Sequence, residues 1–176
     1  MNLRLGYRHL TASFVCVALL AGLPVAASAP VKLAIFDFEF EDMSAAASAG
    51  DIAPSDSQHL ADVTSSVRDL FEQSGRYSLV DVGGADAAEV KARSLHRCDG
   101  CDATIAQQLG AEQSFVGVVK RITRTEYTVR YQIRDASTGA VLSSADSGLR
   151  MGADYSWSRG AVRLIKDRLL EKKAQQ

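Results

Sequence analysis

The feature that most constrains the fold is an alternation near the carboxyl end. Tyr127, Val129, Tyr131 and Ile133 alternate with Thr128, Arg130, Gln132 and Arg134. Successive side chains of a strand point to opposite faces, so this period of two predicts a strand with one buried and one wet face. Such a strand needs neighbours to pair with, and the flanking sequence offers them. Phe115 to Ile122 reads as a strand before it, Asp135-Ala136-Ser137-Thr138-Gly139 is turn chemistry, and Ala140 to Ser144 begins a returning strand. The carboxyl half therefore predicts an antiparallel meander.

The amino-terminal half adds a different kind of strand. Val31 to Phe36 is apolar on nearly both faces, as a buried interior strand is. From Phe36 to Glu41 aromatics alternate with acids, which predicts Asp37, Glu39 and Glu41 on one side. Met43 to Pro54 reads as a loop. Ser55 and Gln58 have capping-box spacing, and Leu60, Val63, Val67, Leu70 and Phe71 recur at helical spacing up to a Ser74-Gly75 stop. Tyr77 to Val82 reads as a strand, and Asp86 with Glu89 opens an alanine-rich helix to about Leu95. Asp102 caps a short helix from Ala103 to Leu109, which Gly110 closes. A last helix from near Ser156 buries Trp157, Ala161, Leu164, Ile165 and Leu169. This order predicts a single compact α/β (or α+β) domain, with helices packed on a mixed sheet.

The segment from Met1 to Ala29 stands outside that domain. Arg4, Arg8 and His9 make a basic start, Ala12 to Leu23 is an apolar core, and small residues run from Pro24 to Ala29. These are the three parts of a secretory signal peptide. Its apolar core of 12 residues is shorter than the roughly 20 needed to span a bilayer, so no transmembrane segment is expected after cleavage. The cut is expected after Ala29, or after Ala27 because Pro30 is unfavourable just past a cut. The signal carries two arginines and no acids, so its removal takes the formal charge from -1 to -3. That balance, without a basic aromatic stripe, argues against nucleic acid as a partner. Of the three cysteines Cys16 leaves with the signal, and Cys98 and Cys101 remain for an oxidising compartment, the periplasm.

Five blocks of the remaining chain carry a resemblance: LAIFDFE (Leu33 to Glu39), SGRYSLVD (Ser74 to Asp81), CDGCDATIAQQLGA (Cys98 to Ala111), IRDASTG (Ile133 to Gly139) and SWSRGAVRLIKDRL (Ser156 to Leu169). Together the sequence resembles a proteobacterial family of small exported proteins of unknown function, often encoded near quinoprotein (PQQ-dependent) alcohol dehydrogenase systems. Its layout is similar to the sandwich of the TolB amino-terminal domain and of the periplasmic CsgG and LpoB proteins. The resemblance implies a link to quinoprotein alcohol oxidation or an associated transport system, and it brings no catalytic residue to transfer.

Read as chemistry, the residues offer few sites. Cys98 and Cys101 are most simply a disulfide that fixes how the loop enters the helix. A redox pair is the rival reading, opposed by Asp99 and Asp102, whose charges disfavour a thiolate. Covalent haem would need histidine where Asp102 stands, and metal binding through His96, Cys98 and Cys101 lacks a fourth ligand. Asp37, Glu39, Glu41 and Asp42 read as a solvated sheet edge. His59 reads as a surface residue, and Ser156 and Ser158 lack the Gly-x-Ser-x-Gly elbow of a serine hydrolase. Arg130 and Arg134, on the wet face of their strand, form a candidate interaction face. No catalytic residue, metal or cofactor is expected. The expected function is that of a non-enzymatic periplasmic accessory or interaction protein with a periplasmic or envelope protein as partner. The alternatives are a thiol-disulfide redox protein using Cys98 and Cys101, and a small ligand-binding component of a transporter.

Overall fold

The structure, a computed structural model, describes residues 28–44, 54–83, 90, 94–123, 125–147 and 156–171. Residues 1–27 of the expected signal peptide and most of the alanine-rich helix expected from Asp86 lie outside them. Strands β1 (Val31–Ile35), β2 (Glu39–Asp42), β3 (Tyr77–Val80), β4 (Gln113–Arg121), β5 (Tyr127–Asp135) and β6 (Val141–Asp146) form one mixed sheet. Its order is β3-β1-β4-β5-β6, with β2 also beside β4. β1 runs parallel to β3 and β4, while β4, β5 and β6 form the antiparallel meander expected from the alternation. Helices α1 (Pro54–Gln73), α2 (Cys101–Gln108) and α3 (Trp157–Ile165) complete the domain, and one wider π-helical turn, Lys166–Leu170, extends α3.

Each sheet face has its own core. On one, Val63, Val67 and Phe71 of α1 and Trp157, Ala161 and Ile165 of α3 pack on Leu33, Ile35, Phe115, Val119, Val129, Tyr131 and Ile133. On the other, Ala106 of α2 and Leu95 pack on Ala34, Phe36 and Val116. β1 is thus covered on both faces, which is why its sequence is apolar without alternation.

A slip between β1 and β2 decides where the acids go. Ile35 lies opposite Phe115 and Glu39 opposite Val118, so three residues of this chain face two of β4. The extra residue is a bulge, and it reverses which side chains face which core. Before it Leu33 and Ile35 face α1; after it Phe38 and Phe40 do, while Phe36 belongs to the opposite core. The far end of the Phe38 ring lies against Gly117, where an added Cβ would overlap it. The Phe38 N–H is given to Thr64 Oγ1 at 2.9 Å, so α1 supplies the partner that the bulge removes from the ladder.

Helix ends follow local chemistry, with two corrections. α1 stops where expected, with Gly75 in the left-handed region at φ +63°. Its expected capping box is not formed: the helix begins at Pro54, and the Gln58 amide is given to Asp62. Asp102 does not cap α2. That helix begins two residues earlier, at Cys101 after Gly100 at φ +90°, and Asp102 lies inside its first turn. The turn after β5 is held by Asp135, whose carboxylate accepts the N–H groups and hydroxyls of Ser137 and Thr138. The Ser137 hydroxyl first, then Thr138, draw its pKa down to about 2.

Candidate functional site

The polar side chains gather at the segment from Ser94 to Asp102. Glu39 projects from β2 and accepts the N–H of Leu95 at 2.6 Å and of His96 at 3.0 Å, and its second oxygen also meets the His96 ring at Nδ1. Glu41, two residues on and on the same face, pairs with Lys120 at 2.8 Å and Arg97 at 3.1 Å. Its pKa lies below the ordinary carboxylate value, through the Lys120 hydrogen bond first, against the cost of burial, and then through Arg97 and His96. A lowered carboxylate stabilises the fold above its unfolded pKa. That contribution is lost as pH falls through the lowered value.

The cysteine loop follows at once. The Sγ atoms of Cys98 and Cys101 lie at disulfide distance, with their Cα atoms 5.7 Å apart. Both side chains are half-buried and pack against the core that contains Leu95 and Ala106. Beyond them Asp102, buried, accepts the Ser114 hydroxyl at 2.6 Å. Arg134 reaches the loop from β5: its Nη2 lies 3.3 Å from Asp99, its Nε lies 3.6 Å from Asp102, and its Nη1 donates to Gly139 O. The loop is therefore clamped on both sides, by Glu39 before it and by Arg134 after it.

A second cluster centres on Arg121 at the end of β4. Its guanidinium meets Asp42 at 3.1 Å, Asp56 at 2.8 Å and the Tyr127 hydroxyl at 3.1 Å, and it lies over the Phe40 ring, 4.9 Å from the centroid. Asp56, in the first turn of α1, is buried. Phe40 stacks in turn on Trp157 at 5.7 Å. One cation thus joins β2, β4, β5 and the start of α1. The sequence singled out neither Arg121 nor Asp56. The signal available was an acid in the first turn of a helix, but its partner lies 65 residues away.

These positions revise several expectations. Asp37, Glu39 and Glu41 do not share one solvated edge. The bulge leaves Asp37 beside Arg68 of α1 at 3.2 Å and turns Glu39 and Glu41 under the 94–97 segment, only 20% and 14% exposed. Arg130 and Arg134 differ in surroundings: Arg134 is held by the loop, while Arg130 stands exposed on β5, opposite Asp146 of β6. His59 sets its ring edge-on to Trp157 at 5.7 Å. Ser94, His96 and Glu39 come together, yet the hydroxyl and the carboxylate both meet Nδ1 of the imidazole. A serine relay needs them on opposite ring nitrogens, so this trio does not transfer a proton from serine. Among the described residues no three His, Cys, Asp or Glu side chains are arranged to hold a metal, and no helix is long and apolar enough to cross a membrane.

Between the 94–96 segment, α1 and the end of β3 lies a cleft of about 980 Å³. It opens beyond the carboxyl ends of the parallel strands β1 and β3, where open α/β sheets commonly bind ligands.

A family model matches residues 31–169, nearly the whole of the fold. The chain belongs to the DUF3280 family. The family is described as a protein of unknown function (DUF2380), so DUF3280 membership carries no activity with it. No curated protein matches the sequence. Among solved structures, the hypothetical protein CT253 from Chlamydia trachomatis is similar over 84% of this chain and 96% of its own, at 12% identity and a TM-score of 0.50. The LpoB C-terminal domain from Salmonella enterica is similar over 69% of this chain and 84% of its own, at 16% identity and a TM-score of 0.49. TolB from Acinetobacter baumannii is similar over 73% of this chain and 25% of its own, at 18% identity and a TM-score of 0.42. At such identities a likeness concerns fold alone.

Proposed function

We propose that this DUF3280 chain is exported, is cut after Ala27 or Ala29, and acts as a non-enzymatic accessory protein that binds another periplasmic or envelope protein. The observation that carries this reading is the use made of the polar side chains. Glu39, Glu41, Asp42, Asp56 and Asp102 are paired with Arg97, Lys120, Arg121, Arg134, Ser114 and the backbone of 95–96, in contacts that tie one element to another. Groups used in this way hold a shape, and a shape with no reactive centre assembled among the described residues supports a role in recognition. Arg130, exposed on β5, is proposed as part of the surface that meets the partner. The five sequence blocks support a further link to quinoprotein alcohol oxidation or a linked transport system.

The test expresses the full chain in a Gram-negative host, fractionates the cells and weighs the product. A periplasmic protein beginning at Ser28 or Pro30, which captures the same envelope protein from wild-type cells and loses it on Arg130→Glu, is the expected result. A full-length cytoplasmic product overturns export, and unchanged growth of a deletion strain on alcohols removes the quinoprotein link.

We infer that Cys98 and Cys101 form a structural staple. A rival thiol-disulfide function draws support from Cys101, which opens α2, where a helix start favours a thiolate. Against it stand Asp99 and Asp102 on either side of Cys101. So short a loop removes little entropy from the unfolded chain. The Cys98→Ser/Cys101→Ser variant should stay folded and lose about 2 kcal/mol at most. Urea denaturation checks this, and disulfide reductase activity in the parent that disappears in the variant would reverse the assignment.

A further inference from the structure

The cleft beside β3 has a lining of definite chemical character. Leu79, Val82, Leu95 and Phe36 give it apolar walls, and about 980 Å³ lies at the upper end of the range for small-molecule sites. Its charge is unbalanced. Asp37, Glu39, Glu72 and Asp81 line it, against Arg68 and His96. Arg68 is already committed to Asp37 and to the carbonyl of Ile35, and Glu39 is occupied by Leu95 and His96. That leaves Glu72 and Asp81. Asp81 accepts only the N–H of Gly83, two residues on, and neither carboxylate pairs with a cation among the described residues.

Both carboxylates are exposed at the rim, where water hydrates them, and their field repels an anionic ligand and draws in a cation. We propose that the cleft binds a small amphiphilic cation, an apolar body ending in an ammonium or guanidinium group. This deepens the accessory reading by giving the protein a ligand, and it rests on that reading only in taking the site as non-catalytic.

The probes are 4-phenylbutylamine, 4-phenylbutanol and 4-phenylbutanoate, which share one apolar body and differ in end charge. Each is titrated into the full mature chain and followed by amide NMR shifts. The amine is expected to saturate shifts at Leu79, Asp81 and Val82 and to bind about fivefold tighter than the alcohol, the upper end of what one exposed ion pair provides. The acid should bind weakest. Glu72→Gln/Asp81→Asn should lower amine affinity to that of the alcohol and leave the alcohol unchanged, which a merely misfolded cleft would not do. Equal affinities for amine and acid, or shifts confined to other surfaces, overturn the proposal. So does the absence of saturable binding by any probe, whereas the accessory function fails or stands on fractionation and partner capture.

Discussion

Replacing Arg121 with leucine is expected to destabilise the protein by about 3 kcal/mol and to lower its Tm by about 10 °C. The loss comes less from the ion pairs themselves than from what is left behind. Asp42, 23% exposed, can be hydrated when its partner goes. Asp56 cannot: its side chain is 5% exposed, and its carboxylate would be buried without a counter-charge. The missing guanidinium also gives up its place over the Phe40 and Tyr127 rings, 4.9 and 5.4 Å from their centroids. Because Arg121 reaches water at its edge, the figure sits at the low end of the roughly 3 to 5 kcal/mol range for breaking a buried pair. Adding Asp56→Asn to the leucine variant should restore about half of the loss, since a neutral amide is cheaper to bury. Urea denaturation of both variants measures it. A loss below about 1 kcal/mol, or no recovery from the second substitution, would show that Asp56 is not the group that needs Arg121.

The second large effect concerns a hydrogen atom. Gly117→Ala is expected to cost about 3 kcal/mol, because the new methyl would overlap Cε1, Cε2 and Cζ of Phe38. Phe38 is 4% exposed and packs on Phe115 at 5.9 Å, so moving its ring off Gly117 disturbs that packing. Shortening the ring to Phe38→Leu in the same chain should make the two substitutions cost less than their sum, as expected of two residues that share one space. Urea denaturation of the two single variants and the double variant measures this. Additive costs would mean that the strand bends to admit the methyl and that the close approach is incidental.

Both predictions rest on features that the sequence showed unevenly. The alternation of Tyr127 to Arg134 was legible because one strand with one wet face leaves a period of two. Trp157, Ala161, Leu164 and Ile165 were legible for the corresponding helical reason, and all four are buried as expected. Gly117 was silent, since what demands a glycine there is the ring of Phe38, distant in sequence and met only across the folded sheet. The acids of β2 misled because alternation was counted straight through Phe36-Asp37-Phe38. A single extra residue reverses the faces, and nothing in the residue types marks it. Arg134 looked like a free cation on a wet face; its partners, Asp99 and Asp102, lie far earlier in the chain, in a loop whose path the sequence did not reveal. Local periodicity was therefore readable, while long-range pairing of charges was not.

The pairing of β1 with β4 has a consequence for the order of events in folding. Ile35 meets Phe115, so the strand nearest the amino terminus joins the centre of the sheet only when a segment from the far half of the chain is present. The meander β4-β5-β6 closes through short loops and can assemble from neighbours in sequence. Closing the long loop first would cost chain entropy before any contact returned it, and parallel pairings of this separation are slow for that reason. Until β4 arrives, Leu33 and Ile35 have no central strand to pair with. A chain interrupted before Gln113 would expose this apolar strand, a ready template for association with its own copies.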